Sequence, residues 1–239
     1  MADAEDDGTL SLPLFAGLEP QLRGRLLANA RVERVPAGTV LFSEGGKAEF
    51  IHLVMSGVVE ITKMEGRREC CVLIFTCGDV FMPAASLWDE PYLTSARALT
   101  SARLLLLDGD RVRDEARRSP ELAMRMCQLI SGQWRMAVRH ILDLKCRSAP
   151  ERLGAFLLRL VDESPFGDMA ELPFPKRSLA ARVGMTAETL SRTLQLLADN
   201  GLHLRGSRII VKDRALIERF CGPDPYPERT ETALGVYAL

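Results

Sequence analysis

Residues Arg177 to Val211 read RSLAARVGMTAETLSRTLQLLADNGLHLRGSRIIV, and the punctuation of this stretch decides the fold of the last third of the chain. Ser178 to Val183 has the pattern of a short supporting helix with Leu179, Ala180 and Val183 facing inward. Ala180 is small enough to let a second helix cross closely, and Gly184 permits the sharp turn between the two. Thr186 stands where its hydroxyl can cap the second helix, whose Leu190, Leu194 and Leu197 recur at helical spacing as a buried stripe. A small two-strand β-wing follows. The spacing predicts a winged helix-turn-helix.

The opposite face of the second helix, near its amino end, carries Glu188, Ser191 and Arg192. Those residue types suit base edges: a guanidinium donates twice to guanine, and a carboxylate accepts from cytosine N4. Thr186, Thr189 and the wing residue Arg208 are suited to phosphate oxygens, which position a protein on DNA without specifying sequence. Charge supports this location. The whole chain is formally −1, yet residues 146–221 hold twelve Lys and Arg against nine Asp and Glu.

Working outward, Glu19 to Ala30 reads as a helical piece with Leu22, Leu26 and Leu27 on one side. Short β-runs broken by glycine turns follow, at Thr39–Phe42, Phe50–Met55, Val58–Lys63, Cys70–Phe75, Thr94–Leu99 and Arg103–Leu107. Many short strands at regular spacing predict a sandwich, roll or barrel. From Pro120 to about Leu144 the period becomes helical, with two parallel heptad stripes. One is Leu122, Met126, Leu129, Gln133, Met136 and His140; the other is Ala123, Cys127, Ile130, Trp134, Ala137, Ile141 and Leu144. A helix apolar on two faces needs two partners, its own β-domain and a second copy of itself. The stripe from Leu122 to His140 is assigned to the second copy. Ser148-Ala149-Pro150 marks a boundary, a helix is expected from Glu151 to Val161, and Leu172-Pro173-Phe174-Pro175 reads as an edge strand. The expected fold class is α+β: an arm (1–18), a jelly-roll-like β-roll (19–118), a dimerisation helix (119–146), the winged helix-turn-helix (147–221) and a tail (222–239).

Composition excludes several classes. No run approaches the roughly 18 apolar residues of a membrane helix, and the acidic start MADAEDDGTL is unlike a secretory signal. Six cysteines without paired metal-like spacing suit a reducing compartment, so a cytoplasmic location is expected. No nucleophile–base pair or phosphate loop stands out, so an enzyme is not expected.

A β-roll, a long helix and a winged helix in this order resemble the Crp-Fnr superfamily of bacterial transcription regulators. The resemblance spans roughly Leu14 to Phe220. It is carried by Val35-Pro36-Ala37-Gly38-Thr39 with Glu44-Gly45, by Met55-Ser56-Gly57 and Gly78-Asp79, and by Ala187-Glu188-Thr189-Leu190-Ser191-Arg192. The Glu-x-x-Ser-Arg pattern is similar to the Fnr-type recognition helix. It implies that Glu188, Ser191 and Arg192 read inverted half-sites of the TTGAT type as a homodimer, in an activator that contacts RNA polymerase. The cassette that holds a cyclic nucleotide in the superfamily is altered: its glutamate is Pro83 here, and its phosphate-binding arginine is Thr94, leaving only Ser95. A buried cyclic phosphate would lack its cation, so cAMP is not expected. No cysteine precedes Cys70, which removes the usual amino-terminal ligands of an iron–sulfur cluster.

Cys70, Cys71 and Cys77 leave a thiol or metal sensor open, although neighbours on a strand point to opposite faces. The superfamily's haem-based and nitrogen-oxide-responsive regulators, such as the dissimilatory nitrate respiration regulator, supply another branch. In it His140, or His52, would ligate iron and the apolar stretch Val80–Trp88 would face the ligand. The expected signal is oxygen, redox state or a nitrogen oxide. Two other readings fit the residues: a redox-sensing or ligand-binding module whose winged domain contacts proteins, and a constitutive regulator without an effector.

Overall fold

The computed structural model describes residues 12–66, 68–81 and 83–222, which fall into two compact units meeting at 136/137. The arm to residue 11, Arg67, Met82 and the tail from residue 223 lie outside the described residues.

The first unit is built on two four-stranded antiparallel sheets. One has the order β1 (Arg31–Val35), β8 (Ala102–Asp108), β3 (Phe50–Ser56), β6 (Val80–Phe81). The other has the order β2 (Val40–Phe42), β7 (Ser95–Ala98), β4 (Val59–Glu65), β5 (Arg68–Phe75). The apolar runs of β3 and β8 pair from Phe50 against Asp108 to Val54 against Leu104, and both are buried along most of their length. Two strands escape the hydrophobic pattern. In β1, RVERV is a largely exposed edge strand held by β8, and β6 has only two residues.

Helices cover one end of the roll. Pro20–Leu27 (α1) buries Leu22, Leu26 and Leu27, the face expected from its spacing. Pro83–Trp88 (α2) makes a helix of most of the apolar stretch expected to face a ligand. Gly109–Arg118 (α3) lies where the sequence reading assigns no element. Its start is fixed by Asp108, whose side chain accepts from the Arg111 amide at 2.9 Å. Only Gly109, Val112 and Glu115 are buried on it, and Glu115 pairs with Arg25 at 2.9 Å, so its apolar stripe is too thin to register as a period.

Pro120–Cys146 (α4) is the long helix, and here one expectation is corrected. Leu122, Met126 and Leu129 are buried among Leu14, Phe15, Leu26, Ile51 and Leu105. Met136 is buried in the second core cluster with Val54, Phe81 and Leu104, and the Gln133 amide donates to the Val80 carbonyl. From Leu122 to Met136 the stripe assigned to a second copy is therefore covered by the protomer's own roll, while His140 lies half-buried in the second unit. Cys127, Ile130, Trp134, Ile141 and Leu144, on the other stripe, are exposed, Trp134 by 67%. Both stripes are apolar, and sequence spacing cannot rank them. The depth of the roll decides.

The second unit begins with Ala149–Asp162 (α5). Ser148 and Glu151 form a reciprocal cap at its start, with Pro150 in its first turn. Lys176–Arg182 (α6) and Ala187–Asp199 (α7) follow, then the hairpin β10 (Leu202–Arg205) and β11 (Arg208–Val211), and last Arg214–Cys221 (α8). The third strand of this sheet, β9, is Met169–Glu171 rather than the proline-containing stretch after it. Pro173 and Pro175 have no N–H to give a ladder, whereas Met169 to Glu171 pairs with Ile210 to Arg208.

Two buried titratable groups in the roll act on stability in opposite senses. His52 is stacked on Phe81 with ring centroids 4.9 Å apart, its Nδ1 is buried without a hydrogen-bond partner, and burial lowers its pKa from 6.5 to about 4. The unfolded chain binds that proton first, so stability is lost as pH falls through this interval. Asp79 accepts from the Thr76 amide at 2.6 Å, yet burial raises its carboxyl from 3.8 to about 7. The folded state then holds a proton that the unfolded chain releases, and its contribution is lost as pH rises through that window. Between about pH 4 and 6.5 the two oppose each other. Asp79→Asn keeps an acceptor for Thr76 and removes one arm. Urea unfolding of this variant is expected to show stability rising with pH over the window, by about 3 kcal/mol at full amplitude. A profile as flat as that of the unaltered protein would show that His52 is not held neutral.

Candidate nucleic-acid interface

The helix pair forms because each element buries a narrow face. On α6, Leu179 and Ala180 are buried, followed by Val183 and Met185 in the turn. On α7 the buried residues are Leu190, Thr193 and Leu197; Leu194 is only half-buried, so Thr193 shares the stripe read as three leucines. The connection turns at Gly184, which has φ +70°, and the Met185 amide closes on the Ala180 carbonyl at 2.9 Å. A side chain is strained in that backbone conformation.

Thr186 caps α7 as expected, its hydroxyl oxygen accepting from the Thr189 amide at 3.2 Å. The two threonine hydroxyls are also within 3.0 Å of each other. Beyond this cap Glu188, Ser191 and Arg192 are all exposed, one helical turn apart on one face. The Ser191 hydroxyl donates to the Ala187 carbonyl at 3.1 Å, so its oxygen lone pairs are what it turns outward. The face thus offers a carboxylate acceptor, a hydroxyl acceptor and a guanidinium donor within two turns. Positive partial charge at the N-terminus of α7 adds an anion-attracting end beside them.

The wing is a two-residue hairpin. Arg205 and Arg208 face each other across Gly206-Ser207, and both are exposed. Arg208 was identified from sequence; Arg205 was not. The register across the hairpin carries the missing signal, since a two-residue turn at Gly206-Ser207 makes Arg205 the cross-strand neighbour of Arg208. Buried Leu202, Ile209 and Val211 hold the wing on its unit. Arg214 at the start of α8 clamps the base of this sheet by pairing with Asp162 at 2.7 Å and Asp168 at 3.1 Å.

The candidate sensing residues are not gathered into one site. Cys70 is registered against Lys63 and Cys71 against Thr62, and the exposed Cys77 thiol donates to the Met55 carbonyl at 3.0 Å. Among the described residues no three His, Cys, Asp or Glu side chains are grouped to hold a metal. Ser95 gives its oxygen to the Glu44 amide at 3.0 Å, and Lys63 reaches the Glu44 carboxylate and the Leu93 carbonyl. Pro83 opens α2. His52 lies inside the roll between Phe42 and Phe81. His140 is half-buried beside a cavity of about 10 Å³ lined by Arg152, Arg159 and Arg182. That is room for about one water molecule and does not fit a porphyrin. No helix among the described residues is long and apolar enough to cross a membrane.

Comparison with known proteins agrees with this geometry. Residues 151–220 match the model of the Crp-like helix-turn-helix domain, and residues 32–119 match that of the cyclic nucleotide-binding domain. The chain is 32% identical to the nitrogen fixation regulation protein FixK of Azorhizobium caulinodans over 190 residues, 75% of this chain and 74% of that protein. It is 24% identical to a CRP-like cAMP-activated global transcriptional regulator of Mycobacterium tuberculosis, over 86% of this chain and 95% of that one. Among solved structures, FixK2 from Bradyrhizobium japonicum superposes with a TM-score of 0.72 at 24% identity, covering 82% of this chain and 98% of that chain. At that identity the likeness speaks for the fold.

One glycine in the helix-turn-helix region carries a constraint that spacing alone does not reveal. Gly201 has φ +89°, and a Cβ there would lie 2.7 Å from the Asp213 carbonyl oxygen and 3.1 Å from the Asp213 nitrogen. Gly206 has φ +62° but open space around it. Gly206→Ala is expected to cost about 1 kcal/mol and Gly201→Ala about 2 kcal/mol or more in denaturant unfolding. Equal costs would contradict the close approach of Asp213, at the start of α8, to the turn after α7.

Proposed function

This chain belongs to the Crp-Fnr family of transcription regulators, on its Fnr-like side, and from that premise we propose that it is a homodimeric regulator reading an inverted TTGAT-like repeat. Each protomer inserts α7 into a major groove, and the two-fold axis sets the two grooves about one turn apart. Glu188, Ser191 and Arg192 read base edges, while Thr186, Thr189, Arg205 and Arg208 hold phosphates. The observation that carries this reading is the exposed Glu188–Ser191–Arg192 face directly behind the Thr186 cap. Residues 19–118 serve as the sensing part, 119–146 as the dimer helix and 147–221 as the reader. The signal is of the oxygen, redox or nitrogen-oxide class, and on promoters the dimer acts as an activator through RNA polymerase.

Dimerisation uses the exposed stripe of α4. Ile130, Trp134 and Ile141 are too large and too close together to leave in water along one helix. A parallel pairing of two such helices buries them as a short coiled-coil seam. Trp134→Glu is expected to shift the native mass from dimer to monomer and to weaken operator binding with it. A dimeric variant would move the interface elsewhere.

Within this reading, cAMP is not the effector. The serine of the phosphate site is engaged by the Glu44 amide, and no arginine stands beside it at Thr94. The same observation favours a second reading, in which the protein acts constitutively. Isothermal titration with cAMP separates an occupied site from an empty one.

The central test is a gel shift with a TTGAT-N4-ATCAA duplex at two salt concentrations. Specific retardation that weakens steeply with salt is expected. Arg192→Ala should lose about 1–3 kcal/mol of discrimination against a changed guanine, whereas Arg205→Ala should weaken all duplexes alike and lower the salt slope by about 1. Unchanged operator discrimination in Arg192→Ala would falsify the assignment.

A further inference from the structure

The C-terminal end of α4 meets α5 and α6 around a small, strongly cationic cavity. His140 and Asp143 line it from α4, Arg152, Phe156 and Arg159 from α5, and Arg182 from α6. Arg182 is 4% exposed and lies over the Phe156 ring, 5.0 Å from its centroid. Asp143, the one carboxylate, has both oxygens engaged: one accepts from Arg147 at 3.0 Å and the other from Arg159 at 2.8 Å. Arg152 gives its two terminal nitrogens to the carbonyls of Arg147 at 2.8 Å and Val183 at 3.2 Å, and its Nε is buried with no acceptor.

A buried N–H of a charged group left unpaired is costly, and a water molecule could satisfy the donor without balancing the charge. An anion does both. We propose that this cavity is a binding site for a small monovalent anion of chloride size, coordinated by the guanidinium groups of Arg152, Arg159 and Arg182 beside the His140 imidazole. The volume selects the class: about 10 Å³ accommodates one water-sized particle, and a tetrahedral oxyanion exceeds it. The field points the same way. His140 is held below its ordinary pKa by burial first and then by Arg182, with Arg159 and Arg152 adding to it against Asp143. Because the three arginines come from α5 and α6, a bound anion would tie the supporting helix of the reader to the end of α4. The site is independent of the operator assignment, since none of its residues is among those given to DNA.

The test uses the intact protein without DNA, in sodium chloride and in sodium gluconate at equal ionic strength. The His140 imidazole is followed by NMR and assigned by its loss in His140→Gln. Chloride is expected to raise its titration midpoint by roughly 1 pH unit relative to gluconate, as a nearby opposite charge does. Arg152→Gln is expected to abolish the difference. Crystals grown in bromide supply a readout that needs no variant: an anomalous peak within contact distance of the three guanidiniums is expected. Identical His140 titrations in the two salts, or bromide crystals with water alone in the cavity, would overturn the proposal.

Discussion

The contact between α4 and the roll is the one on which the rest of the molecule depends. Leu122, Met126 and Leu129 bury one face of the helix among Leu14, Phe15, Ile51 and Leu105, and Met136 extends the seam into the second core cluster. Burying a side chain of this size contributes about 1.5–3 kcal/mol, so four of them fix the rotation of the helix about its own axis. That rotation has a consequence on the opposite side. It turns Ile130 and Trp134 outward, the part of α4 proposed to meet a second copy. The proposed dimer face is therefore set by packing inside the protomer.

A comparable economy governs the reader. The buried residues of α7 are few, and its orientation relies on local devices: the Thr186 cap, the turn at Gly184, and the close approach of Gly201 to Asp213. Together these leave Glu188, Ser191 and Arg192 exposed on one face of α7, with the Ser191 hydroxyl leaning on its own helix. Base reading needs such a face, rigid in backbone and unengaged in side chain.

Much of this was legible in the sequence wherever one strong local signal settled the matter. The helix pair, its cap and its exposed Glu188, Ser191 and Arg192 follow from spacing within a few turns. Six of the eight roll strands follow from apolar runs between glycine turns. What escaped depends on contacts far apart in the chain. The edge strand β1 is recognisable only from its pairing with β8, and α3 buries too little to show a period. The choice between the two stripes of α4 rests on what the roll offers, which no heptad count contains. Arg205 became visible only when the hairpin register set it opposite Arg208. The proline-rich edge strand was displaced because a ladder needs N–H groups that Pro173 and Pro175 lack.

Reader and sensing unit differ in how far their chemistry can be followed. In the roll, Ser95 is bound to Glu44, the cysteines are dispersed, and His52 is enclosed by aromatic rings. In the helix-turn-helix unit, Glu188, Ser191 and Arg192 stand exposed on one face of α7. The central claim is that Arg192 reads guanine in the major groove, once in each half-site. Dimethyl sulfate protection of guanine N7 on a bound TTGAT-N4-ATCAA duplex tests it most directly. The account predicts that the guanine of both half-sites is protected by the unaltered protein and becomes reactive again with Arg192→Ala at saturating protein. A fully bound duplex whose half-site guanines stay reactive would contradict it.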